Sequence, residues 1–338
     1  MPNTSIPSVE TVKQLLEMGR KKPAGTVFTV RLAAREYLCP LHTLEKRYNY
    51  YMKKEQIPLV VSEGWTDYEL LDSGLEMKLE RFGRYTLARP DTKALWQPSL
   101  PASIWHKADA TYRRSSDGGG KWHFNTRLPE KWNVSWKHLT FAARPSGFKH
   151  TGIFPEQASV WQDIIDTVTA AKRPVNVLNL FAYTGGCTLA AASAGASVTH
   201  LDAAKEIITW ARENATLSGL ESKPIRWIPD DAITFVKREI KRGNKYDMII
   251  MDPPKFGRGT TSQVWKFEEH LPHLIELCKQ ILTANPLMVF VNAYAVSFSS
   301  RTLHNMLAQS FHGGAVTSGE LAITQKNGLI LPCSIYAK

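Results

Sequence analysis

The sequence predicts an α/β protein: a doubly wound sheet of seven strands towards the C-terminus, preceded by a smaller β-rich (α+β) domain. Three observations point there. From about Pro174 short apolar runs alternate with helical stretches, the pattern of parallel strands covered on both faces. The last two runs are joined by Gln325-Lys326-Asn327-Gly328, and Asn-Gly is a good hairpin turn, so the final strand is expected to insert antiparallel. Before Gly147 the texture differs, with short runs separated by turn residues and interspersed Trp and Tyr.

Taken in order, residues 1–58 read as an extension of mixed helix and strand. Val9, Val12, Leu15 and Leu16 have helical spacing, Lys22-Pro23-Ala24-Gly25 is a breaker, and 44–56 looks helical and basic. Residues 59–147 read as the small β-rich domain, with runs at 59–61, 85–88 and 139–142 and a flexible turn at Asp117-Gly118-Gly119-Gly120. A hairpin is expected within 122–141. Residues 148–338 form the sheet domain. Its strands are expected at 175–180, 197–201, 225–228, 246–251, 287–291, 315–324 and 329–337, with helices at 187–194, 204–218, 231–242, 264–282 and 298–309.

Composition narrows the class. The 338 residues are 43% hydrophobic, enough for a real core. No apolar run approaches the roughly 18 residues of a membrane span, and the first ten residues lack a signal-peptide pattern. Four scattered cysteines (Cys39, Cys187, Cys278, Cys333) form no CxxC pair and suit a reduced, cytoplasmic setting, with no metal expected. His270 and His273 are three apart without further ligands nearby in sequence, which favours a surface role. Residues 1–150 carry 24 Lys+Arg against 15 Asp+Glu, whereas 151–338 carry 18 against 16. A basic front half suggests a polyanion held there, or simply a well-solvated basic surface.

Ligands of doubly wound sheets bind at the carboxyl ends of strands, and four such ends carry notable residues. Asn179-Leu180-Phe181-Ala182-Tyr183-Thr184-Gly185-Gly186 permits a sharp turn and close ligand approach, but is not the GxGxxG of nicotinamide enzymes. Asp202 ends the second strand, where a carboxylate can accept both hydroxyls of a ribose. In Asp230-Asp231 one residue is suited to an adenine amine and the other to helix capping; Asp230 is assigned the cap. Asp252-Pro253-Pro254-Lys255-Phe256 is the most specific signal. Its prolines remove donors and stiffen the loop, leaving carbonyls outward to hold an amine or base edge beside a methyl donor.

The string NLFAYTGG, HLDAAKE, ARENA, DDA and YDMIIMDPPKFGRG, in that order, resembles the class I S-adenosylmethionine (SAM) dependent methyltransferases. More narrowly it is similar to the bacterial DPPKF group, which includes large-subunit ribosomal RNA methyltransferases of the cytosine-C5 type. The resemblance covers about residues 145–338 and implies a Rossmann-like seven-stranded methyltransferase sheet, SAM as cofactor with S-adenosylhomocysteine (SAH) as product, and RNA as substrate. It implies that Phe154 and Gln157, in the segment preceding the sheet, line the cofactor pocket with Asn179, Ala182 and Thr184. Phe181, Tyr183 and Gly185 would sit against the methionine part, Asp202 on the ribose, Ala203 beside the adenine and Asp231 on its amine. Asn214 would brace the pocket, and Asp252 to Phe256 would face the methyl and the acceptor.

The sequence departs from that group in two places. Cytosine-C5 chemistry needs a cysteine nucleophile, and the loop at 291–298 has none; Cys187 is a remote candidate and Cys278 is expected in the core. Transfer to nitrogen or oxygen is therefore easier to defend. The front domain matches no RNA-binding module, although Tyr112-Arg113-Arg114, Lys121-Trp122, Lys131-Trp132 and Trp136-Lys137-His138 suit either base stacking or a small aromatic core. The alternatives are methylation of a protein or small molecule, a SAM- or RNA-binding protein without catalysis and, weakest, a nicotinamide oxidoreductase. Monomer and homodimer both remain open, and no membrane association is expected.

Overall fold

The computed structural model describes residues 27–32, 35–40, 57–115, 119–258 and 264–338, the first two stretches by their backbone alone. The chain divides into two units, 1–57 and 58–338. In the first, β1 (Val27–Leu32) and β2 (Arg35–Pro40) form an antiparallel pair. The helices expected at 9–20 and 44–56 lie outside the described residues, as do residues 117 and 118 of the expected turn.

In the second unit β3 (Leu59–Val61) comes first. Then β4 (Tyr68–Gly74), β5 (Met77–Phe82), β6 (Tyr85–Pro90), β7 (Ala110–Arg114) and β8 (Gly120–Phe124) form a five-stranded sheet. The hairpin expected in this region is β9 (Trp132–Trp136) with β10 (Leu139–Ala143), while Trp122 to Phe124 pair with β7 instead. Helix α1 (Ala158–Ala171) buries Val160, Trp161, Ile164 and Val168, one stripe at helical spacing, and ends at Lys172 in the left-handed conformation.

From there strand and helix alternate: β11 (Asn176–Leu180), α2 (Gly186–Ser193), β12 (Ser197–Asp202), α3 (Lys205–Leu217), β13 (Ile225–Pro229), α4 (Ala232–Arg242) and β14 (Met248–Met251). A small hairpin, β15 (Phe256–Arg258) with β16 (Val264–Lys266), precedes α5 (Phe267–Lys279). The helix expected over 264–282 thus begins three residues late, because those residues pair with β15. Then follow β17 (Met288–Ala293), α6 (Ser300–Ser310), β18 (Ser318–Thr324) and β19 (Ile330–Ala337).

The large sheet has the order β13-β12-β11-β14-β17-β19-β18-β3. Its first five strands are parallel, and β19 inserts antiparallel to both β17 and β18. The seven expected strands are all present. The eighth is β3, which joins the edge parallel to β18 and so belongs to the large sheet rather than to the front strands. Neighbouring residues of β11 and β14 face opposite sides: Val177, Met248 and Ile250 pack into one cluster, Leu178, Ile249 and Met251 into the other. Both faces are therefore buried, as the unbroken apolar runs require.

The first cluster also contains Tyr68, Leu70, Phe82, Trp136 and Phe141, so the front strands share a core with the large sheet. The sequence break at 147/148 does not separate two hydrophobic cores. Trp161 is the joint. Its ring lies 5.7 Å from Trp65, 5.5 Å from Trp136 and 5.0 Å from Phe141. Gly186 lies on the same ring, where a Cβ would come within 2.6 Å. Replacing Trp161 with Ala is expected to cost about 3–5 kcal/mol of stability, measured by denaturant unfolding of the full chain.

Candidate functional site

A cavity of about 560 Å³ opens at the carboxyl ends of the parallel strands, within the usual size range of ligand sites. A second hollow of about 40 Å³ adjoins it under the glycine loop. Ile153, Phe154, Phe181, Tyr183 and Asp252 line both. Asn179, Ala182, Thr184, Gly185 and Gln157 line the small hollow; Asp202, Ala203, Asp231, Pro253, Pro254 and Lys255 line the large one.

The glycine loop turns through left-handed residues, Phe181 (φ 56), Tyr183 (φ 49) and Gly185 (φ 93). Such values cost a non-glycine residue energy, and the turn is held by side chains. Asp202 accepts from the Tyr183 and Ala204 backbone N–H groups at 3.0 Å each. Thr184 donates to the Gly152 carbonyl at 2.5 Å. Fully buried Asn214 accepts from Ala142 N–H at 2.8 Å and donates to the Thr184 carbonyl at 2.9 Å, so it braces the loop from behind. It lines neither hollow. Asn179 donates to Thr188 at 3.0 Å.

The capping assignment at the third strand is reversed. Asp231 is the N-cap of α4 and accepts from Thr234 N–H at 2.9 Å. Asp230 accepts from Asp231 N–H and pairs with Arg238. The residue one turn before the helical N–H groups is the one that can reach them, which places Asp231 in both the cap and the cavity wall.

Asp252 is the centre of a hydrogen-bonded chain. Its Oδ1 accepts from Asn292 at 2.9 Å and its Oδ2 from Gln157 at 3.2 Å. Ser334 donates to Asn292 at 2.8 Å, and Gln157 reaches the Tyr294 hydroxyl at 3.2 Å. The double-proline loop is pinned rather than left with free carbonyls. Pro254 O accepts from Trp265 Nε1 at 2.8 Å, and Lys255 O accepts from Phe267 N–H at 3.0 Å. Burial pushes the Asp252 carboxyl up to about 7; Asn292 opposes the shift, and nearby Glu156 adds to it.

The front strands build the facing wall with residues that carried no sequence signal. Fully buried Glu80 takes Arg89 in a two-pronged pair at 2.7 and 2.9 Å and the Tyr68 hydroxyl at 2.9 Å. Lys78 lies 3.4 Å from Glu80 and 3.5 Å from Asp91. Burial alone would raise Glu80, but Arg89 and Lys78 hold it at about 2. Lys149 is lowered to about 8 by burial and by Lys78, and His150 to about 3 by burial and the Arg89 charge, so this histidine is neutral.

The aromatic residues divide. Trp136 is buried in the core, and the Trp122 and Trp132 indoles donate to backbone carbonyls, Trp122 to Ser146 and Phe148 at 3.0 Å and Trp132 to Phe82 at 2.9 Å. These tryptophans are structural. Among the described residues the large exposed aromatic side chains are Phe124, Phe148 (72% exposed) and Phe256 (63%). Of the cysteines, Cys278 is buried in the core, Cys187 lines the small hollow and Cys333 the large one, and burial pushes each thiol up. Among the described residues no group of three His, Cys, Asp or Glu could hold a metal, and no helix is long and apolar enough to cross a membrane.

A sheet with carboxylates at successive strand tips and a glycine turn between them defines a nucleoside-binding α/β enzyme. Residues 78–300 match the family model described as S-adenosylmethionine-dependent methyltransferase, and the chain belongs to that family. The crystal structure of the SAM-dependent methyltransferase from Agrobacterium tumefaciens is 42% identical, with a TM-score of 0.80 over 83% of this chain and 93% of that one. A Streptococcus mutans methyltransferase structure, 16% identical with a TM-score of 0.63, shares the fold. Among curated relatives, the ribosomal RNA large subunit methyltransferase K/L of Shewanella frigidimarina is 31% identical over 154 residues, covering 45% of this chain and 21% of its own. The ribosomal RNA large subunit methyltransferase I of Klebsiella pneumoniae is 38% identical over 95 residues, 27% of this chain and 24% of its own. The chain thus spans about a quarter of the length of these curated relatives.

The raised Asp252 pKa has a stability consequence with a definite sign. Between the unfolded carboxyl value, about 4, and about 7 the folded state holds a proton that the unfolded state has lost, so this group makes stability fall as pH rises across that window. Asp252→Asn removes the penalty. Its advantage in unfolding free energy over the native chain should grow from pH 4 to 7 and level off above. Because Asp252 keeps partial solvent contact, the gain should reach on the order of 2 kcal/mol, read from denaturant melts across pH.

Proposed function

We propose that this SAM-dependent methyltransferase methylates RNA, ribosomal RNA foremost, at a nitrogen of a base. The carrying observation is the Asp252 carboxylate, held by Asn292 and Gln157 where the two hollows meet. The residues fit the cofactor. Gln157 Oε1 is buried without a hydrogen-bond partner and suits the cofactor's ammonium group at the small hollow. A carboxylate has about four lone-pair sites, so Asp202, held by the backbone N–H groups of Tyr183 and Ala204, keeps capacity to accept from the ribose. The second oxygen of Asp231, with Ala203 alongside, serves the adenine. Phe154, Phe181, Tyr183 and Gly185 pack against the methionine end.

SAM, when bound, supplies a methyl activated on a sulfonium. The chain supplies position and proton handling. Pro253 and Pro254, anchored through Trp265, fix the loop beside the methyl, and alignment is the main catalytic contribution to such a transfer. Asp252 would accept an N–H of the attacking amine and take its proton as the methyl moves from sulfur to nitrogen and leaves the thioether behind. A carboxyl raised to about 7 is matched to that task near neutral pH. The buried, protonated state of the cysteine thiols lining the hollows speaks for nitrogen over carbon, which needs a thiolate.

RNA is favoured by the names of the curated relatives and by the basic front. Arg114 and Lys149 stand in the cavity wall, and Phe148 and Phe256 lie exposed next in sequence to lining residues Lys149 and Lys255. Exposed rings among cations suit unpaired bases and phosphates.

Asp252→Ala should lower methyl transfer about 10²- to 10⁴-fold while SAH still raises the melting temperature, and NADH should raise it in neither protein. Mass spectrometry of ribosomal RNA from cells with and without the protein should show one missing N-methylated nucleoside. RNA affinity should fall log-linearly with salt; RNA left unmethylated and salt-independent binding of a small metabolite would overturn the RNA reading.

A further inference from the structure

Glu156 is a charged residue of the cavity to which the proposed function gives no role. It lies in the single turn Pro155–Gln157, is 3% exposed and lines the large cavity. Its Oε2 has no hydrogen-bond partner, although a buried carboxylate oxygen without a donor is costly. The residues on either side are locked. Pro155 O accepts from Ser62 Oγ at 2.5 Å and from Trp65 Nε1 at 3.0 Å, while Gln157 is held by Asp252 and Tyr294. Glu156 is thus a preorganised acceptor between two fixed points.

Adjacent residues serve different hollows. Gln157 lines the small one under the glycine loop, and Glu156 only the large one. Within the large cavity, Asp202 and Asp231 mark the cofactor end at the tips of β12 and β13. Glu156 lines that cavity with Tyr294 and Cys333 and, from the front wall, with Lys78 and Arg89, and it does not reach the small hollow.

We propose that the Glu156 carboxylate is the specificity group for the acceptor base, taking a hydrogen bond from an exocyclic amine. An ionised carboxylate only accepts. It favours the amino edge of cytosine, adenine or guanine; uracil and hypoxanthine put a carbonyl where cytosine and adenine carry the amine, and hypoxanthine lacks the donor that guanine carries. A base unstacked from single-stranded RNA offers that edge. Asp252 receives the proton at the reacting nitrogen, and Glu156 chooses which base arrives there. This assignment rests on the RNA reading above.

The test uses the full chain saturated with SAH and titrated with CMP, AMP and GMP, and with UMP and IMP as the forms lacking the amine. At least one amino nucleotide should bind about tenfold or more tighter than its counterpart. Glu156→Gln should compress that preference to under threefold, with SAH affinity unchanged. Glu156→Ala should do the same, which separates loss of the acceptor oxygen from any effect of the new amide. Absence of a preference in the native chain, or its persistence in Glu156→Gln, overturns the assignment. A tenfold loss of SAH affinity also overturns it, placing Glu156 on the cofactor instead. Tritiated methyl transfer to ribosomal RNA from cells lacking the protein is measured alongside. No transfer there defeats the RNA reading, whereas transfer without nucleotide preference defeats only the role of Glu156.

Discussion

The site depends on one run of hydrogen bonds, from buried Ser334 on β19 through Asn292 on β17 and half-buried Asp252 after β14 to Gln157 ahead of α1. It ties the antiparallel last strand, two parallel strands and the segment before the sheet into one polar seam. Each member has its position set by the next, so neither Asp252 carboxylate oxygen is free to swing. Such a seam works only when its members are satisfied. Two atoms beside it, Gln157 Oε1 and Glu156 Oε2, are buried without a hydrogen-bond partner.

The facing wall follows the same logic with charge. Glu80 and Arg89 are both buried, and their pairing is supported by Tyr68 and Lys78. Buried ion pairs of this kind seldom add stability over an apolar replacement. Their value here is positional, since Arg89 also donates to the Lys149 carbonyl at 3.1 Å and so sets the strand-side rim of the cavity. Acid at the strand tips and base on the front wall give the cavity two electrically distinct sides.

Much of the sheet was legible in the sequence because both of its faces are buried. Continuous apolar runs such as those ending at Leu180 and Met251 can be little else when helices of matching length follow. Errors fell where tertiary contacts override local pattern. Val264 to Lys266 continue a helical spacing but pair with Phe256 to Arg258. Asp230 and Asp231 are equivalent as letters, and only the helix start decides which of them caps. The tryptophans beside lysines suited base stacking and an aromatic core equally as sequence; Trp136 packs against Trp161, and among the described residues the large exposed rings are phenylalanines. Asn292 was a missed signal, a polar residue inside the apolar strand Met288–Ala293.

The sequence by itself determined the order of elements, the carboxylates at the strand tips and the stiff Asp-Pro-Pro corner, because these are local: a turn, a cap and a strand end are specified by residues close together in the chain. Only the tertiary structure decided what stands opposite that corner. Lys78, Glu80, Arg89, Lys149, Glu156, Tyr294 and Cys333 are spread over more than 250 positions and carry no shared motif. They meet because the front strands and the large sheet bury one apolar cluster together around Trp161, and that packing, being non-local, leaves no pattern to read along the chain.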